Sequence, residues 1–217
     1  PASGRELTFR TIADTFCKDN RVWDEWLISD NAAIAVGLGQ TSQQMAQAQI
    51  EAGDTNMPLT PDTDIKGPYQ GRGNDNEWGA KHADILHRLV QADFAVVRNV
   101  YDRACHLSVP IGQDVYGWRA LDTFWMALCS AFPSATFEVE HQIGRGESML
   151  PPRSAIRWSL TGTHDGWGAF GPPTGAQVHV MGVSHVEFGP RGIRWETTLY
   201  DEIAIWKQIL LQSERNT

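Results

Sequence analysis

The spacing of apolar residues along the chain changes in character at Pro133. Before Pro133, apolar residues recur at intervals of three and four over residues 85–104 and again over 117–132, which predicts two amphipathic helices. Beyond it, apolar and polar residues alternate, which is typical of strands with one buried face. Four such strands are predicted, over residues 135–143, 155–165, 176–188 and 192–201.

A short apolar stretch, residues 202–211, follows the last predicted strand and begins directly after Asp201. Asp is one of the residues that commonly cap the start of a helix, so this stretch is predicted as a closing helix. Helices followed by a run of strands indicate an α+β fold. We expect a curved antiparallel sheet with the helices packed on one of its faces.

The N-terminal quarter of the chain repeats the order of its end. Residues 1–52 read as strand, turn, strand, Asp30 and apolar helix, and a shift of 171 positions places Asp30 on Asp201. We interpret them as the hairpin and helix of a partial first repeat, with an unrelated extension as the alternative. Residues 53–83, rich in Gly, Pro, Asp and Asn, are predicted to be a linker, and residues 84–217 a complete domain.

Composition and charge limit the classes of partner that this protein is expected to bind. The formal charge of -8 and the pI near 5.3 argue against nucleic acid, because binding to phosphates needs clustered Lys and Arg. No apolar run has the length of a membrane helix and no signal peptide opens the sequence, so we expect no membrane partner and a cytoplasmic location. Cys17, Cys105 and Cys129 lie far apart among apolar neighbours, which predicts small buried side chains and neither disulfides nor a metal site.

Three motifs in the last third of the chain carry a family resemblance. They are Gly-Thr-His-x-Gly at 162–166, Pro-Thr-Gly at 173–175, and Asp201 followed by an apolar helix. With these motifs, residues 92–211 resemble the SnoaL-like polyketide cyclases of the nuclear transport factor 2-like superfamily. The resemblance implies a cone-shaped sheet around an apolar cavity and a homodimer. It also implies an intramolecular aldol ring closure that uses an Asp as acid and base, without cofactor or metal.

Asp201, His185 and His164 are the candidate catalytic residues. Strand alternation places Asp201 on the face of Ile193 and Leu199, where loss of solvation raises a carboxyl pKa; a helix cap is the alternative role. His185 lies on the preceding strand, where the resemblance also implies a His, and it is otherwise a structural side chain. His164 either lines the pocket or fixes its turn.

The same alternation places Glu196 on the opposite, outer face, where we expect it to pair with Arg194 or Arg157. An excess of Trp, nine against four Tyr, suits either a large core or a pocket for a flat ligand. The candidate walls of an apolar substrate site are Trp125, Trp158, Trp167, Trp195 and Leu199.

Two functions follow from this pattern. The first is an enzyme in which Asp201 transfers a proton next to a carbonyl group while a His stabilises the developing oxygen charge. The second is a non-catalytic module of the same fold, which binds a small molecule or forms a dimer. If Asp201 and His185 do not both open into one enclosed pocket, the second function is favoured.

Overall fold

The computed structural model describes residues 4–213. Its strands are β1 Thr11–Lys18, β2 Arg21–Ser29, β3 Tyr101–Val109, β4 Gln113–Tyr116, β5 Thr136–Arg145, β6 Arg153–Thr163, β7 Gln177–Gly189 and β8 Gly192–Tyr200. Its helices are α1 Asn31–Gly37, α2 Ser42–Glu51, α3 Glu77–Val90, α4 Ala95–Val100, α5 Gly117–Ala131 and α6 Glu202–Ser213. None of the helices in this part of the chain is both long and apolar enough to cross a membrane.

Six strands form one curved, unclosed sheet in the order β4-β3-β8-β7-β6-β5. Helix α3 packs against β5 and β6, and α5 packs against β3 and β4, so the helices cover one face of the sheet. The α+β fold and the four strands predicted after Pro133 are confirmed. The sheet is not wholly antiparallel, however, because β3 pairs with β8 in parallel.

The helix predicted over residues 85–104 is interrupted, and its last residues are strand. Helix α3 ends at Val90, Ala92 has a left-handed φ of 61°, the separate short helix α4 follows, and strand β3 begins at Tyr101. Apolar residues four apart in this region fit either a helix or a strand. Pairing of β3 with β4 and β8 decides the outcome, a tertiary effect that periodicity does not contain.

Helix α3 also begins earlier than expected, inside the predicted linker of residues 53–83. Its first residue is Glu77, and the side chain of Asn76 caps it by accepting a hydrogen bond from Trp78 N. The irregular segment therefore ends at Asn76, and this capping residue lies within the predicted linker.

The N-terminal residues adopt the predicted order of hairpin, Asp and helix. Strands β1 and β2 pair antiparallel, and Asp30 caps α1 by accepting from Ala33 N at 3.1 Å, just as Asp201 caps α6. The hairpin covers the outer face of β7 and β8, where Ile12 and Ile28 pack against Val183, Leu199 and Met181. The partial repeat remains a hypothesis. The homodimer also remains a prediction, and a dimer formed through the sheet cannot use the area that the hairpin covers.

The prediction that all three cysteines are buried is wrong for Cys17. Cys17 lies exposed on β1, because one face of the N-terminal hairpin is turned to solvent. Cys105 is buried and Cys129 half-buried. Burial raises the pKa of Cys105 to about 11 and that of Cys129 to about 12, so both are neutral thiols near neutral pH.

The carboxylate of Asp30 fastens the N-terminal piece, which comprises β1, β2, α1 and α2, to the rest of the domain. Its side chain is 1% exposed and accepts from Ala33 N, from Ile111 N at 2.9 Å and from Gly112 N at 2.7 Å. We expect Asp30→Ala to lower the free energy of unfolding by about 3 kcal/mol, measured by urea denaturation, because these N–H groups lose their acceptor.

The matched control is Thr41→Ala, which removes the exposed cap of α2, where Thr41 Oγ1 accepts from Gln44 N at 3.1 Å. That variant is expected to lose about 1 kcal/mol. Equal losses in the two variants contradict the proposed role of Asp30.

Candidate functional site

A bulge at Arg194 sets the direction of every later side chain in β8. Phe188 pairs with Ile193 while Glu187 pairs with Trp195, so Arg194 is an extra residue without an opposite partner. One extra residue moves all following side chains to the other face. Glu196, Thr198 and Tyr200 consequently point into the core, and Trp195, Leu199 and Asp201 lie on the outer face. The prediction that Asp201 faces the interior is therefore wrong.

Asp201 is half-buried between α6 and the N-terminal piece. Its Oδ1 accepts from Ile203 N at 3.0 Å and Ala204 N at 3.1 Å, which caps α6. Its Oδ2 accepts from Asn31 Nδ2 at 2.8 Å. The carboxylate thus has the capping role that the sequence left open as an alternative.

His185 does not meet Asp201. It pairs with Thr197 on the exposed outer face of the sheet, and Asp201 lies four residues further along β8. Four residues of strand span about 13 Å. The structure therefore does not bring the two predicted catalytic residues into one pocket.

His164 is buried and holds the loop that follows β6. Its Nδ1 lies 3.0 Å from Thr174 Oγ1, its backbone N–H donates to Ala176 O, and its carbonyl accepts from Thr174 N and Gly175 N. Burial among Phe132 and Phe170 lowers the pKa of its imidazole. These contacts match the turn-fixing role, while a role toward a substrate stays a prediction.

Of the five predicted wall residues, two lie inside the cone. Trp125 and Trp158 are fully buried with ring centroids 6.0 Å apart. Trp167 is 71% exposed and Trp195 45% exposed. Leu199 is buried, but beneath the N-terminal hairpin and not in the interior. The bulge at Arg194 explains the last two placements.

Glu196 is the carboxyl group that the bulge places inside. It is 1% exposed, and Oε2 accepts from Tyr101 Oη at 2.6 Å while Oε1 accepts from Thr198 Oγ1 at 2.7 Å. Burial raises the pKa of Glu196, although these hydrogen bonds act in the opposite direction. The outer-face pairing expected from sequence is wrong: Arg194 pairs with Glu187, and Arg157 pairs with Asp14.

An open pocket of about 550 Å³ lies between α5, the β3–β4 hairpin and the start of α6. The rings of Phe124 and Tyr200 stack at 6.2 Å and line it, and Trp125 and Trp158 pack directly against this pair. Most of the remaining lining is apolar. The polar side chains of the lining are Gln113, Tyr116, Arg119, Thr123 and Glu202.

Glu202 is the carboxyl group of this pocket. It is half-buried, and burial raises its pKa, while a hydrogen bond from Ser42 opposes the rise and the negative charges of Asp30 and Asp201 add to it. Sequence reasoning chose Asp201, one residue earlier. The local sequence holds no signal for Glu202, because Ser42 and Asp30, which influence its pKa, lie far away along the chain.

Residues 83–195, just over half of the 217-residue chain, match the SnoaL-like domain family. The chain belongs to this family. No curated protein matches the chain.

Two solved SnoaL-like structures illustrate the shared fold. One is a protein from Jannaschia sp. CCS1 assigned as a SnoaL-like polyketide cyclase, with a TM-score of 0.51 and 20% identity over 63% of this chain and 96% of that one. The other is IdmH from Streptomyces antibioticus, assigned as a polyketide cyclase, with a TM-score of 0.51 and 17% identity over 62% of this chain and 99% of that one. At this identity the likeness establishes the fold alone.

The buried Glu196 of this SnoaL-like domain makes a pH-dependent contribution to stability. Because its folded-state pKa is raised, its contribution is present below the ordinary value of 4.5 and is lost as pH rises through the folded pKa. We expect the unfolding free energy of the wild type, relative to Glu196→Gln, to fall as pH rises from about 4 to about 8 in urea titrations.

Glu187→Gln is the matched control on the neighbouring strand. Burial opposes the shift, yet hydrogen bonds and charges from Arg194 and Arg153 lower the pKa of Glu187, so its contribution is lost as pH falls. The two variants should therefore differ from the wild type with opposite pH slopes. Parallel slopes contradict the interpretation of Glu196.

Proposed function

We propose that this protein binds an apolar organic molecule in the pocket beside α5 and transfers a proton next to a carbonyl group, with Glu202 as general acid and base. The observation that carries the proposal is a carboxyl group of raised pKa lining a mostly apolar pocket of about 550 Å³. That volume lies within the range of small-molecule sites. A raised pKa brings the proton affinity of the carboxylate closer to what carbon-acid chemistry requires at neutral pH.

The other lining groups supply what an enolate intermediate needs. Arg119 lines the same pocket, and its guanidinium offers a cation for the developing enolate oxygen. Phe124 and Tyr200 offer flat surfaces against which a ring system packs. Aldol ring closure, isomerisation and hydration all use this proton transfer. Aldol closure is the first reaction to test, because both solved neighbours are assigned as polyketide cyclases.

The proposal moves the base from Asp201 to Glu202 and leaves Asp201 a positioning role. Asp201 caps the helix that begins at Glu202, and its charge contributes to the raised pKa of Glu202. His185 has no part in this mechanism, because it lies on the outer face of the sheet. His164 fixes the loop after β6, away from the lining of this pocket.

A second candidate function is ligand binding without turnover. It is favoured by the position of Glu202 in the first turn of α6, where a carboxylate stabilises the helix through its dipole without any chemistry. The separation of Asp201 from His185 also favours it, because the expected catalytic pair is not assembled. The two functions differ in whether a bound ketone exchanges its protons.

Glu202→Gln is expected to lower the rate of proton transfer by about 100- to 10,000-fold and to leave ligand binding intact. The measurement is deuterium uptake from D₂O at the carbon next to the carbonyl of 2-acetylnaphthalene, followed by NMR. In the wild type this rate should rise with pH through the pKa of Glu202, which lies above 4.5, because the base acts in its ionised form.

The comparison variant is Asp201→Asn, which retains an oxygen to cap α6 and should keep most of the activity. Full exchange in Glu202→Gln together with loss of exchange in Asp201→Asn would return the base to Asp201. Binding of the ketone to the wild type with no exchange above the background rate establishes the binding function instead.

A bulky side chain in the pocket beside α5 should weaken binding of the ketone. Ala120 lines the pocket from α5, and Ala120→Trp places an indole in the space of the ligand. We expect the affinity for 2-acetylnaphthalene to fall by more than about tenfold in a calorimetric titration. Met126→Trp, at an exposed position on the same helix, controls for the added ring. Equal affinities of the two variants would place the ligand elsewhere.

A further inference from the structure

A second pocket, of about 300 Å³, lies on the outer face of the sheet. Residues 59–72 form one side of it, and strands β5, β6 and β7 form its floor. It shares no lining residue with the pocket beside α5. Two of its lining residues, Tyr69 and Arg157, are the ends of one buried chain of hydrogen bonds.

The chain runs through His141 and Asp14. Asp14 Oδ2 accepts from Arg157 Nε at 2.8 Å and lies 2.9 Å from His141 Nδ1, and His141 Nε2 lies 2.9 Å from Tyr69 Oη. Burial opposes ionisation of Asp14, but its bonds to His141 and Arg157 outweigh burial and lower its pKa. Asp14 is therefore ionised near neutral pH and acts only as an acceptor.

The position of the Tyr69 hydroxyl determines what it offers to a ligand. Asp14 is ionised and only accepts, so His141 Nδ1 carries the proton that faces it. His141 Nε2 takes one hydrogen-bonding position of the Tyr69 hydroxyl. Because a hydroxyl has one O–H donor and two acceptor lone pairs, Tyr69 Oη keeps a further hydrogen-bonding position for a polar group in the pocket.

Arg157 offers N–H donors and a positive charge to a ligand in this pocket. Its guanidinium lies over the ring of Trp26, 4.0 Å from the centroid, and its side chain is mostly buried. Nε is bonded to Asp14, whereas Nη1 and Nη2 have no hydrogen-bond partner within residues 4–213. A stacked guanidinium keeps its in-plane N–H edge available, which suits two parallel bonds to a carboxylate.

The charges around the pocket are mixed. Lys66 and Arg72 add positive charge, while Asp64 and Glu140 add negative charge. Arg72 donates to Val139 O, and Glu140 Oε1 accepts from Ser159 Oγ at 2.6 Å. Burial lowers the pKa of His179, which favours its neutral form. The hydrogen-bonding positions left without a protein partner on this chain of bonds are thus the Nη edge of Arg157 and the remaining position of the Tyr69 hydroxyl.

We propose that this pocket is a second small-molecule site, which binds a hydroxylated aromatic carboxylate. The carboxylate pairs with Nη1 and Nη2 of Arg157, the ring lies beside Trp26, and the ligand hydroxyl forms a hydrogen bond with Tyr69 Oη. The volume fits a ligand of one or two rings. Asp14 belongs to β1 and Tyr69 to the segment before α3, so the N-terminal piece completes the site.

The test compares 4-hydroxybenzoate with benzoate by calorimetric titration. The wild type should bind both probes and prefer 4-hydroxybenzoate by about tenfold, the effect of one hydrogen bond of about 1.4 kcal/mol. Tyr69→Phe should remove that preference and leave benzoate binding unchanged. Arg157→Gln should weaken both probes by at least about tenfold, because the charge-assisted bonds are lost.

Arg153→Gln is the matched control, since Arg153 lies on the same strand but pairs with Glu187 outside the pocket. If Arg157→Gln loosens the hairpin, Tyr69→Phe still decides the test, because a Phe ring at position 69 can stack on Phe16 as the Tyr69 ring does. Glu202→Gln should bind both probes like the wild type. The proposal is overturned by absent saturation of the wild type at about 10 mM, or by an unchanged preference in Tyr69→Phe.

Discussion

The single extra residue at Arg194 governs the chemistry of this domain. A sheet has side chains on alternate faces, so one residue inserted into β8 exchanges the inner and outer sets beyond it. Glu196 enters the core, where Tyr101 and Thr198 satisfy its carboxyl oxygens. Tyr200 becomes a wall of the open pocket and not part of the outer surface. Asp201 leaves the cone altogether and caps α6.

The exchange places Leu199 in an apolar patch of the outer face, and this patch is covered within the chain. Val183 and Leu199 pack against Ile12 and Ile28 of the N-terminal hairpin. Polar contacts from β1 and from the residue after β2 hold the hairpin in place: Asp14 pairs with Arg157 and His141, and Asp30 accepts from two backbone N–H groups in the β3–β4 turn. The hairpin thereby forms part of the outer-face pocket, and Asp30 beside it holds the β3–β4 turn at the edge of the pocket beside α5.

The sequence predicts this fold best where local pattern and tertiary pairing agree. The strands after Pro133 alternate cleanly and are bounded by turn residues, so their positions are confirmed. Residues 101–109 satisfy both periods, and pairing with β8 selects the strand. The inward residues of β8 were mispredicted because a bulge leaves no signature in a simple alternation. Glu202 escaped notice because helix-side neighbours that desolvate it come from distant parts of the chain.

Three carboxyl groups, those of Asp30, Asp201 and Glu202, meet at the start of α6 in different surroundings. Asp30 accepts from three backbone N–H groups, and Asp201 accepts from two and from the amide of Asn31. Burial and the negative charges of Asp30 and Asp201 raise the pKa of Glu202, and the hydrogen bond from the Ser42 hydroxyl opposes this rise. Ser42, Asp30 and Asn31 all belong to the N-terminal piece. The acid–base character of the pocket therefore depends on residues outside the matched span of 83–195, because Asp201 and Glu202 follow that span and Asp30, Asn31 and Ser42 precede it.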